Sequence, residues 1–334
     1  MKRYDVYGLG SALVDTELDV TDQDLHNLDI KKGLMTLVDE ARQDFLQASL
    51  KDHLVMSKRA CGGSAANTLI ALSQFGGKSY FSCKVANDDY GRFYMQDLAD
   101  NGVDHNPQSL VESGTTGKCL VMITDDAERT MNTFLGISTQ LSANDIDREA
   151  IANSEYLYLE GYLVTGDSTR EAALSACASA REAQTKVALS LSDPGIVAHF
   201  REGLKQMVGA GIDLLFCNEA EALAWCETDD IDQALEQLKS TAKQFVVTGG
   251  SRGATIFNGC DFLHAPAQPV KAVDTNGAGD MFAGAYLYAL TQGCECLEAA
   301  TFANLAAGHV VSDYGPRLRS DGYATLKASL KVRD

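Results

Sequence analysis

The sequence predicts an α/β domain built on a mostly parallel sheet, and two observations support this prediction. From residue 61 onward, apolar runs of strand length alternate with amphipathic segments of helix length. No Pro-rich, Ser-rich or repeated segment interrupts this alternation, which is typical of strand–helix–strand units in a parallel sheet. The chain has 334 residues and 45% hydrophobic composition, so we expect one large domain with an appendage.

The predicted strands are short apolar runs. They cover residues 6–14, 79–85, 156–160, 187–191, 213–217 and 245–248. An amphipathic helix is predicted over 64–75, where Gly76 and Gly77 end the pattern, and a second over 91–101, which ends at Gly102. Strands and helices therefore follow one another as an α/β domain requires.

Two segments do not fit the alternation. Residues 16–20 follow the first predicted strand, and residues 117–132 have the pattern of a hairpin with a polar turn. Strands that do not alternate with helices are candidates for a small separate sheet, which we interpret as a lid over the site. The expected organisation is a single domain over 1–334 with lid strands inserted near 16–38 and 115–135.

Charge and cysteine content limit the possible partners. The chain carries 28 basic and 46 acidic residues, a net charge of -18, without a stripe of Lys and Arg, which argues against nucleic acid and anionic membranes. An anionic substrate would need backbone amides, a helix amino end or a metal. The amino terminus lacks a signal-peptide core and no stretch resembles a membrane helix. Nine cysteines without a Cys-x-x-Cys pair suit reduced thiols, so we expect a soluble, cytoplasmic protein without structural zinc.

Polar residues follow four successive predicted strands at the point where each strand ends. They are Glu160, Ser192 with Asp193, Asn218 and Thr248. Ligands of open α/β sheets lie outside the carboxyl ends of the strands, so these residues would converge on one crevice. The alternative is that the strands simply end where polar sequence begins.

A glycine-rich segment precedes a helix predicted over 281–290. In Asp274-Thr275-Asn276-Gly277-Ala278-Gly279-Asp280, the small residues 277–279 let backbone amides approach an oxyanion at the positive end of the helix dipole. Asp280 lies beside this anion hole, where it could accept a proton from a hydroxyl group. The helix end should keep Asp280 ionised as a weak base, which suffices for phosphoryl transfer through a loose transition state. The alternative is an ordinary acidic residue at a helix start.

This glycine-rich segment resembles the carboxyl-terminal signature of the ribokinase (PfkB) family, and three further motifs occur in that family's order. Residues 62–67, Gly-Gly-Ser-Ala-Ala-Asn, resemble its amino-terminal signature; Asn218-Glu219-Ala220-Glu221 resembles its Asn-x-x-Glu element; residues 247–254 resemble its nucleotide loop. The resemblance covers nearly the whole chain. It implies a ribokinase-like three-layer α/β/α domain with a central mostly parallel sheet and a small β lid.

The resemblance also implies ATP as phosphoryl donor and a role for each motif residue. Asp280 would be the base beside the anion hole of Gly277, Ala278 and Gly279. Acceptor hydroxyls would meet Asp15, at the end of the first strand, with Gly62, Gly63 and Asn67. Asn218 and Glu221 would hold Mg²⁺ through water. Asn218, Thr248, Gly250, Gly253 and Asn304 would contact the nucleotide, and Asp274 and Gly315 a monovalent cation such as K⁺. For Gly62 and Gly63 a helix-entry turn is the alternative, for Asn218 and Glu221 a solvated helix start, and for Asn304 a plain surface position.

Within the family, residues 128–130, 132–136 and 160–163 resemble bacterial adenosine kinases. A purine needs apolar or aromatic faces, for which Phe134, Tyr162 and Leu163 are candidates, although such residues at strand ends are commonly core. Arg129 on the lid hairpin could neutralise charge on the transferring phosphoryl group, or be solvent-exposed.

The favoured function is therefore a nucleoside kinase acting on the ribose 5′-hydroxyl of adenosine. A sugar kinase for ribose, fructose or a related sugar, with Glu160 binding sugar hydroxyls, is the alternative. A catalytically silent nucleoside- or sugar-binding sensor is a third possibility, which the intact anion hole and Asp280 disfavour. The expected partners are small-molecule substrates, and the sequence leaves a monomer and a homodimer open.

Overall fold

The computed structural model describes residues 2–53 and 60–330. Within them the strands are β1 Tyr4–Leu9, β2 Leu13–Asp19, β3 Met35–Leu37, β4 Ala60–Gly62, β5 Ser79–Ser82, β6 Val85–Ala86, β7 Val103–His105, β8 Leu110–Val111, β9 Gly117–Ile123, β10 Arg129–Phe134, β11 Ser154–Glu160, β12 Lys186–Ser190, β13 Ile212–Asn218, β14 Ala242–Thr248, β15 Ala254–Phe257 and β16 Phe262–Ala265.

The α-helices of the same residues are α1 Asp22–Asn27, α2 Glu40–Ser49, α3 Ser64–Gln74, α4 Asp89–Asp100, α5 Arg148–Ala152, α6 Asp167–Glu182, α7 Pro194–Val208, α8 Glu219–Cys226, α9 Ile231–Leu238, α10 Ala278–Thr291, α11 Cys296–Val311 and α12 Ser320–Lys327. The helices predicted at 64–75 and 91–101 correspond to α3 and α4. None of the helices in the described residues combines the length and apolar composition that crossing a membrane requires.

The central sheet has nine strands in the order β16-β15-β14-β13-β12-β11-β1-β5-β7. From β14 to β7 every neighbouring pair is parallel, whereas β15 pairs antiparallel with both β14 and the edge strand β16. Successive residues of β11 point to opposite faces: Tyr156 and Tyr158 pack with α3, α10 and α11, whereas Leu157 and Leu159 pack with α6 and α7. This confirms the predicted three-layer α/β/α fold.

A second sheet of five strands, β3-β10-β9-β2-β4, contributes one wall of the cleft described below. Strands β9 and β10 form the hairpin predicted over 117–132, and β2 contains residues 16–19. We call this the cover sheet. Leu18, Leu120 and Met122 on its outer face pack against Leu46 of α2, so its apolar outer face is itself buried.

The prediction of one strand over 6–14 is wrong. Strand β1 ends at Leu9 in the central sheet, and β2 begins at Leu13 in the cover sheet. The chain changes sheets at Gly10, where an added Cβ would lie 2.6 Å from Ala65 Cβ and 2.7 Å from Glu160 Oε2. Asp15 therefore lies inside a cover-sheet strand and not at the end of the first central strand.

Candidate active site

The carboxyl ends of the parallel strands face one continuous cleft. Its acceptor cavity lies between these strand ends and the inner face of the cover sheet and encloses about 680 Å³, its open mouth included. A phosphate cavity of about 660 Å³ follows, and then a nucleotide groove of about 1280 Å³. Arg129 and Asp280 border both the acceptor and phosphate cavities, while Gly279 borders the phosphate cavity and the nucleotide groove. The cleft therefore has room for two molecules that meet at Asp280.

Asp280 lies in the first turn of α10, at the junction of the two cavities. Ser64 Oγ donates to its Oδ1 at 2.6 Å and Asn67 Nδ2 to its Oδ2 at 3.3 Å. These bonds join the glycine-rich segment to the motif at 62–67, far apart in sequence. Asn67 Oδ1 is buried without a partner in the described residues, so it remains available to accept a bond from a ligand.

Burial raises the pKa of Asp280 above its ordinary value, and the bond from Ser64, the charge of Arg129 and the bond from Asn67 oppose that rise only in part. The sequence-based expectation that the helix end keeps this group a weak base is therefore wrong in direction. A carboxylate with a raised pKa is a better proton acceptor while it remains ionised at neutral pH.

The anion hole begins at Gly277, which caps α10 in a left-handed conformation with φ 71°. An added Cβ there would lie 2.3 Å from Pro316 Cβ, so both conformation and space favour glycine. At Gly279 an added Cβ would meet no atom within 4 Å, because this position faces the open cleft. The first N–H groups of a helix have no carbonyl partner within it, so an oxyanion could reach them here.

Asp15 lies on the floor of the acceptor cavity with Gly62 behind it. An added Cβ at Gly62 would lie 1.8 Å from Asp15 Oδ1, so only glycine fits. Gly63, with φ 91°, lines the cavity itself. Burial first, and then the charge of Glu17, raise the pKa of Asp15 to about 8. No hydrogen bond from the described residues reaches the Asp15 carboxylate, which is free to bind acceptor hydroxyls.

Glu160 is buried at the end of β11 and also borders the acceptor cavity. Its Oε1 accepts from Ser11 N at 2.7 Å and its Oε2 from Ala65 N at 2.8 Å. These bonds join the loop between β1 and β2 to the start of α3. Burial raises the pKa of Glu160 to about 7 against the lowering effect of these bonds. Each of its oxygens is thus already paired with a backbone donor.

Arg129 begins β10 on the inner face of the cover sheet. Its guanidinium forms no ion pair or hydrogen bond with any described residue, although Tyr162, Asp280, Asp193 and Glu221 lie close enough to act on its charge. A cation without a fixed partner beside the anion hole can bind a phosphoryl group that enters the cleft.

Asn218 and Glu221 form a capping box at the start of α8. Asn218 Nδ2 donates to Glu221 Oε1 at 2.7 Å, Asn218 N to Oε2 at 3.0 Å, and Glu221 N to Asn218 Oδ1 at 2.8 Å. Burial raises the pKa of Glu221 to about 7. In residues 2–53 and 60–330, no three His, Cys, Asp or Glu side chains are grouped to hold a metal directly. The pair fits a hydrated Mg²⁺ bound mainly by phosphates, not a direct protein ligand set.

The nucleotide groove contains all five residues predicted there, Asn218, Thr248, Gly250, Gly253 and Asn304. Gly250 and Gly253 have φ 59° and 91°, and an added Cβ at Gly253 would lie 2.1 Å from Ala265 O. Asn304 is not a plain surface position, because its Nδ2 donates to Ala265 O at 2.8 Å.

Asp274 is fully buried and joins two loops. Its Oδ1 accepts from Asn276 N at 2.8 Å and its Oδ2 from Gly315 N at 2.9 Å. Glu17 of β2 lies beside Gly315, 3.4 Å from the position of an added Cβ. Burial, and then the charge of Asp274, raise the pKa of Glu17 to about 7.

Residues 35–321 match the pfkB family of carbohydrate kinases. The chain belongs to this family. It is 33% identical to the solved adenosine kinase of Sinorhizobium meliloti, with a TM-score of 0.92 and coverage of 98% of this chain and 99% of that one. A solved Rhizobium etli protein titled "probable sugar kinase" is 32% identical, with a TM-score of 0.93 and coverage of 99% and 100%. The adenosine kinase of Saccharomyces cerevisiae is 26% identical over 332 residues, covering 94% of this chain and 96% of that one. Our chain is thus a phosphotransferase with an alcohol group as acceptor.

Three residues predicted to contact the acceptor of this pfkB-family kinase do not line its cavity, and the first is Gly62, which lies behind Asp15. Side chains alternate along β10, so Arg129, Met131 and Thr133 face the cavity and Phe134 points to the other face of the cover sheet. Leu163 is fully buried in the core beneath the cleft. Tyr162 does line the cavity.

Ser192, one of the predicted strand-end residues, lines the cavity of the kinase. The sequence analysis missed the following lining residues: Ser11, Leu13, Met35, Leu37, Ser64, Cys119, Met131, Thr133, Leu135, Thr165 and Asn276. For those on β10 the strict alternation from Arg129 was a usable signal. For Met35 and Leu37 of β3 no local signal exists, because their position follows from parallel pairing with β10.

Proposed function

We propose that the chain is an ATP-dependent nucleoside kinase that phosphorylates the ribose 5′-hydroxyl of adenosine. The observation that carries this proposal is the division of the acceptor cavity into a polar floor and an apolar wall. Asp15 of β2 forms the floor with Asn67 and Asp280, whereas the other cover-sheet residues that line the cavity are apolar apart from Arg129 and Thr133. The similarity to adenosine kinases supports the same assignment.

The apolar wall suits a flat heterocycle better than a sugar alone. Met35 and Leu37 of β3 and Met131 of β10 present thioether and aliphatic groups, and Leu135 and Tyr162 extend the surface. Leu37 is 43% exposed, so its side chain is accessible to a ligand in the cavity. Burying a purine here is worth roughly 25 cal/mol per Å² of apolar surface.

The polar floor can meet the ribose. The Asp15 carboxylate can accept bonds from two vicinal hydroxyls, and Asn67 Oδ1 is a further unused acceptor. Asp280, bonded to Ser64 and Asn67, lies where the cavity meets the anion hole. We assign it to the removal of the hydroxyl proton as the oxygen attacks the γ-phosphorus of ATP, while ADP leaves into the nucleotide groove.

For Mg²⁺ we assign Asn218 and Glu221 as partners of its water shell. When bound with ATP, the ion would neutralise phosphate charge. Near Asp274 one observation fits a monovalent cation such as K⁺: Glu17 Oε2 is buried without a partner in the described residues. A cation there would offset the charges of Glu17 and Asp274.

A sugar kinase is the second candidate, supported by the similarity to the Rhizobium etli protein. It places Glu160 among the groups that bind sugar hydroxyls. Because each Glu160 oxygen already accepts a backbone N–H, this residue has less capacity for a ligand than Asp15. The apolar wall would also contact little of a free sugar.

An acceptor panel tests the proposal. With ATP and Mg²⁺, we expect the kcat/KM for adenosine to exceed that for ribose and fructose by about two decades or more, because only the nucleoside buries a base. Inosine, guanosine and cytidine complete the panel, and ADP release is the readout. Met131→Ala is the informative variant, since it should lower efficiency with adenosine more than with ribose. Higher efficiency with ribose or fructose than with every nucleoside would replace the proposal by the sugar kinase.

The role of Glu221 can be tested with Glu221→Gln. Glutamine still completes a capping box, so the helix start persists while the negative charge disappears. We expect a several-fold higher Mg²⁺ concentration at half-maximal activity, with unchanged acceptor binding in the absence of nucleotide. Glu298→Gln is the matched control, because Glu298 has the same place in the capping box of α11. An unchanged Mg²⁺ dependence would refute the assignment.

A further inference from the structure

Behind the acceptor cavity, an arginine and an aspartate bind one residue of β4 from both sides. Arg317 Nη2 donates to Cys61 O at 2.7 Å, and Asp97 Oδ2 accepts from Cys61 N at 2.9 Å. Arg317 Nη1 and Asp97 Oδ2 are themselves 2.9 Å apart. Both side chains are largely buried, with 16% and 19% exposure. We call this arrangement the Cys61 clamp.

The Cys61 clamp binds the backbone of β4, which ends at Gly62 and is followed directly by Gly63. Strand β4 pairs with β2 so that Cys61 lies opposite Val14 and Ala60 opposite Asp15. Next to the clamp, Tyr94 Oη donates to Gly62 O at 3.0 Å. The backbone of residues 61 and 62 is thus bound by three side chains that line none of the three cavities.

The location of the Asp15 carboxylate depends on the location of the Gly62 backbone. The carboxylate lies directly against Gly62, with 1.8 Å between Oδ1 and the site of an added Cβ. Gly63 follows with its left-handed backbone, and an added Cβ there would lie 2.2 Å from Ser11 O. A shift of β4 by a fraction of an ångström would therefore move Asp15 or collide with the loop between β1 and β2.

We propose that Arg317 and Asp97 are positioning residues for the acceptor: by fixing Cys61 and Gly62 they hold the Asp15 carboxylate and the Gly63 turn in the geometry that binds acceptor hydroxyls. They set acceptor affinity without touching acceptor or nucleotide. The inference rests on the acceptor site of the proposed function, though not on which acceptor occupies it.

The clamp also has an electrostatic effect on Asp15. Burial and the charges of Glu17 and Asp280 raise the pKa of Asp15, whereas Arg317 and Arg129 lower it. The Arg317 charge therefore favours the ionised carboxylate, which can accept two hydroxyl bonds.

Three variants separate position from charge. Arg317→Met removes both hydrogen bonds and the charge, Arg317→Lys keeps the charge, and Asp97→Asn keeps the Arg317 charge but weakens the clamp. For Arg317→Met we expect the KM for adenosine to rise by roughly tenfold to a hundredfold and the KM for ATP to stay within about twofold. Arg317→Lys should restore much of the affinity, because it keeps the charge and can still donate a hydrogen bond to Cys61 O, whereas Asp97→Asn should raise the KM for adenosine several-fold.

The controls distinguish this inference from the proposed function. Asp15→Asn must raise the acceptor KM; if it does not, the proposed acceptor site fails. If Asp15→Asn acts and a folded Arg317→Met enzyme keeps its acceptor KM, the clamp inference is overturned. Should Arg317→Met not fold, an unchanged acceptor KM in both Arg317→Lys and Asp97→Asn overturns it equally. Arg181→Met, at an arginine that also donates to a backbone carbonyl but lies outside the cleft, should change neither KM. If the panel identifies a sugar, that sugar replaces adenosine in these assays.

Discussion

Replacing Asp280 by Asn is expected to lower kcat by a factor on the order of 10²–10⁴, the usual scale for loss of a general base. The asparagine side chain keeps the size of the original and can still accept the bond from Ser64. It cannot take the hydroxyl proton, so the chemical step slows while both substrates still bind. Single-turnover measurement of ADP formation, together with equilibrium binding of ATP, separates the two effects.

The pH dependence of the wild type gives an independent check. Because burial raises the pKa of Asp280, kcat at saturating substrates should fall on acidification at a pH above the range of ordinary carboxyl groups, as the base becomes protonated. Asp167→Asn is the matched control, since Asp167 also lies in the first turn of a helix but is 90% exposed outside the cleft. Wild-type turnover in Asp280→Asn would remove Asp280 from the mechanism.

The sequence predicted those parts of the fold that depend on local residue patterns. Apolar runs and glycine stops located α3, α4 and the strand segments at 156–160, 187–191, 213–217 and 245–248, because these signals depend on neighbours along the chain. The two glycine-rich motifs also meet as the family resemblance implied, through the bonds from Ser64 and Asn67 to Asp280.

The errors arise where tertiary contacts decide the structure. Nothing in the apolar run over 6–14 shows that the chain leaves one sheet for another, since the break depends on the packing of Gly10 against Glu160 and Ala65. Phe134 was assigned to the wrong face because its register is fixed by pairing with Lys118 of β9. The clamp on Cys61 joins three distant segments and has no signature in any of them.

The direction of the Asp280 pKa shift could not be predicted from the sequence for the same reason. The sequence revealed a carboxylate at a helix start, and from the dipole alone its pKa should be low. Burial between the central sheet and the cover sheet outweighs that effect, and burial is a property of the assembled layers. The same holds for Asp15 and Glu221, whose raised values also follow chiefly from desolvation.

Replacing Arg129 by Met is expected to lower kcat by a factor on the order of 10²–10³, the loss typical of one preorganised group that stabilises transition-state charge. The guanidinium borders both the acceptor and the phosphate cavities and has no ion-pair partner in the described residues. Its positive charge is therefore available to stabilise the negative charge of the phosphoryl group during transfer. Methionine keeps the apolar part of the side chain, so the cover sheet should remain packed.

The role of Arg129 is identified by whether its replacement changes kcat or the KM for the acceptor. If it acts in the transition state, kcat falls while the binding of ATP changes little, and Arg129→Lys recovers part of the rate as a single charge without the planar fork. Arg92→Met is the control, because Arg92 is 53% exposed and pairs with Asp89 on α4, outside the cleft. If Arg129→Met retained the wild-type kcat and only the acceptor KM rose, the arginine would serve acceptor binding and the phosphoryl charge would be neutralised by the anion hole and Mg²⁺ alone.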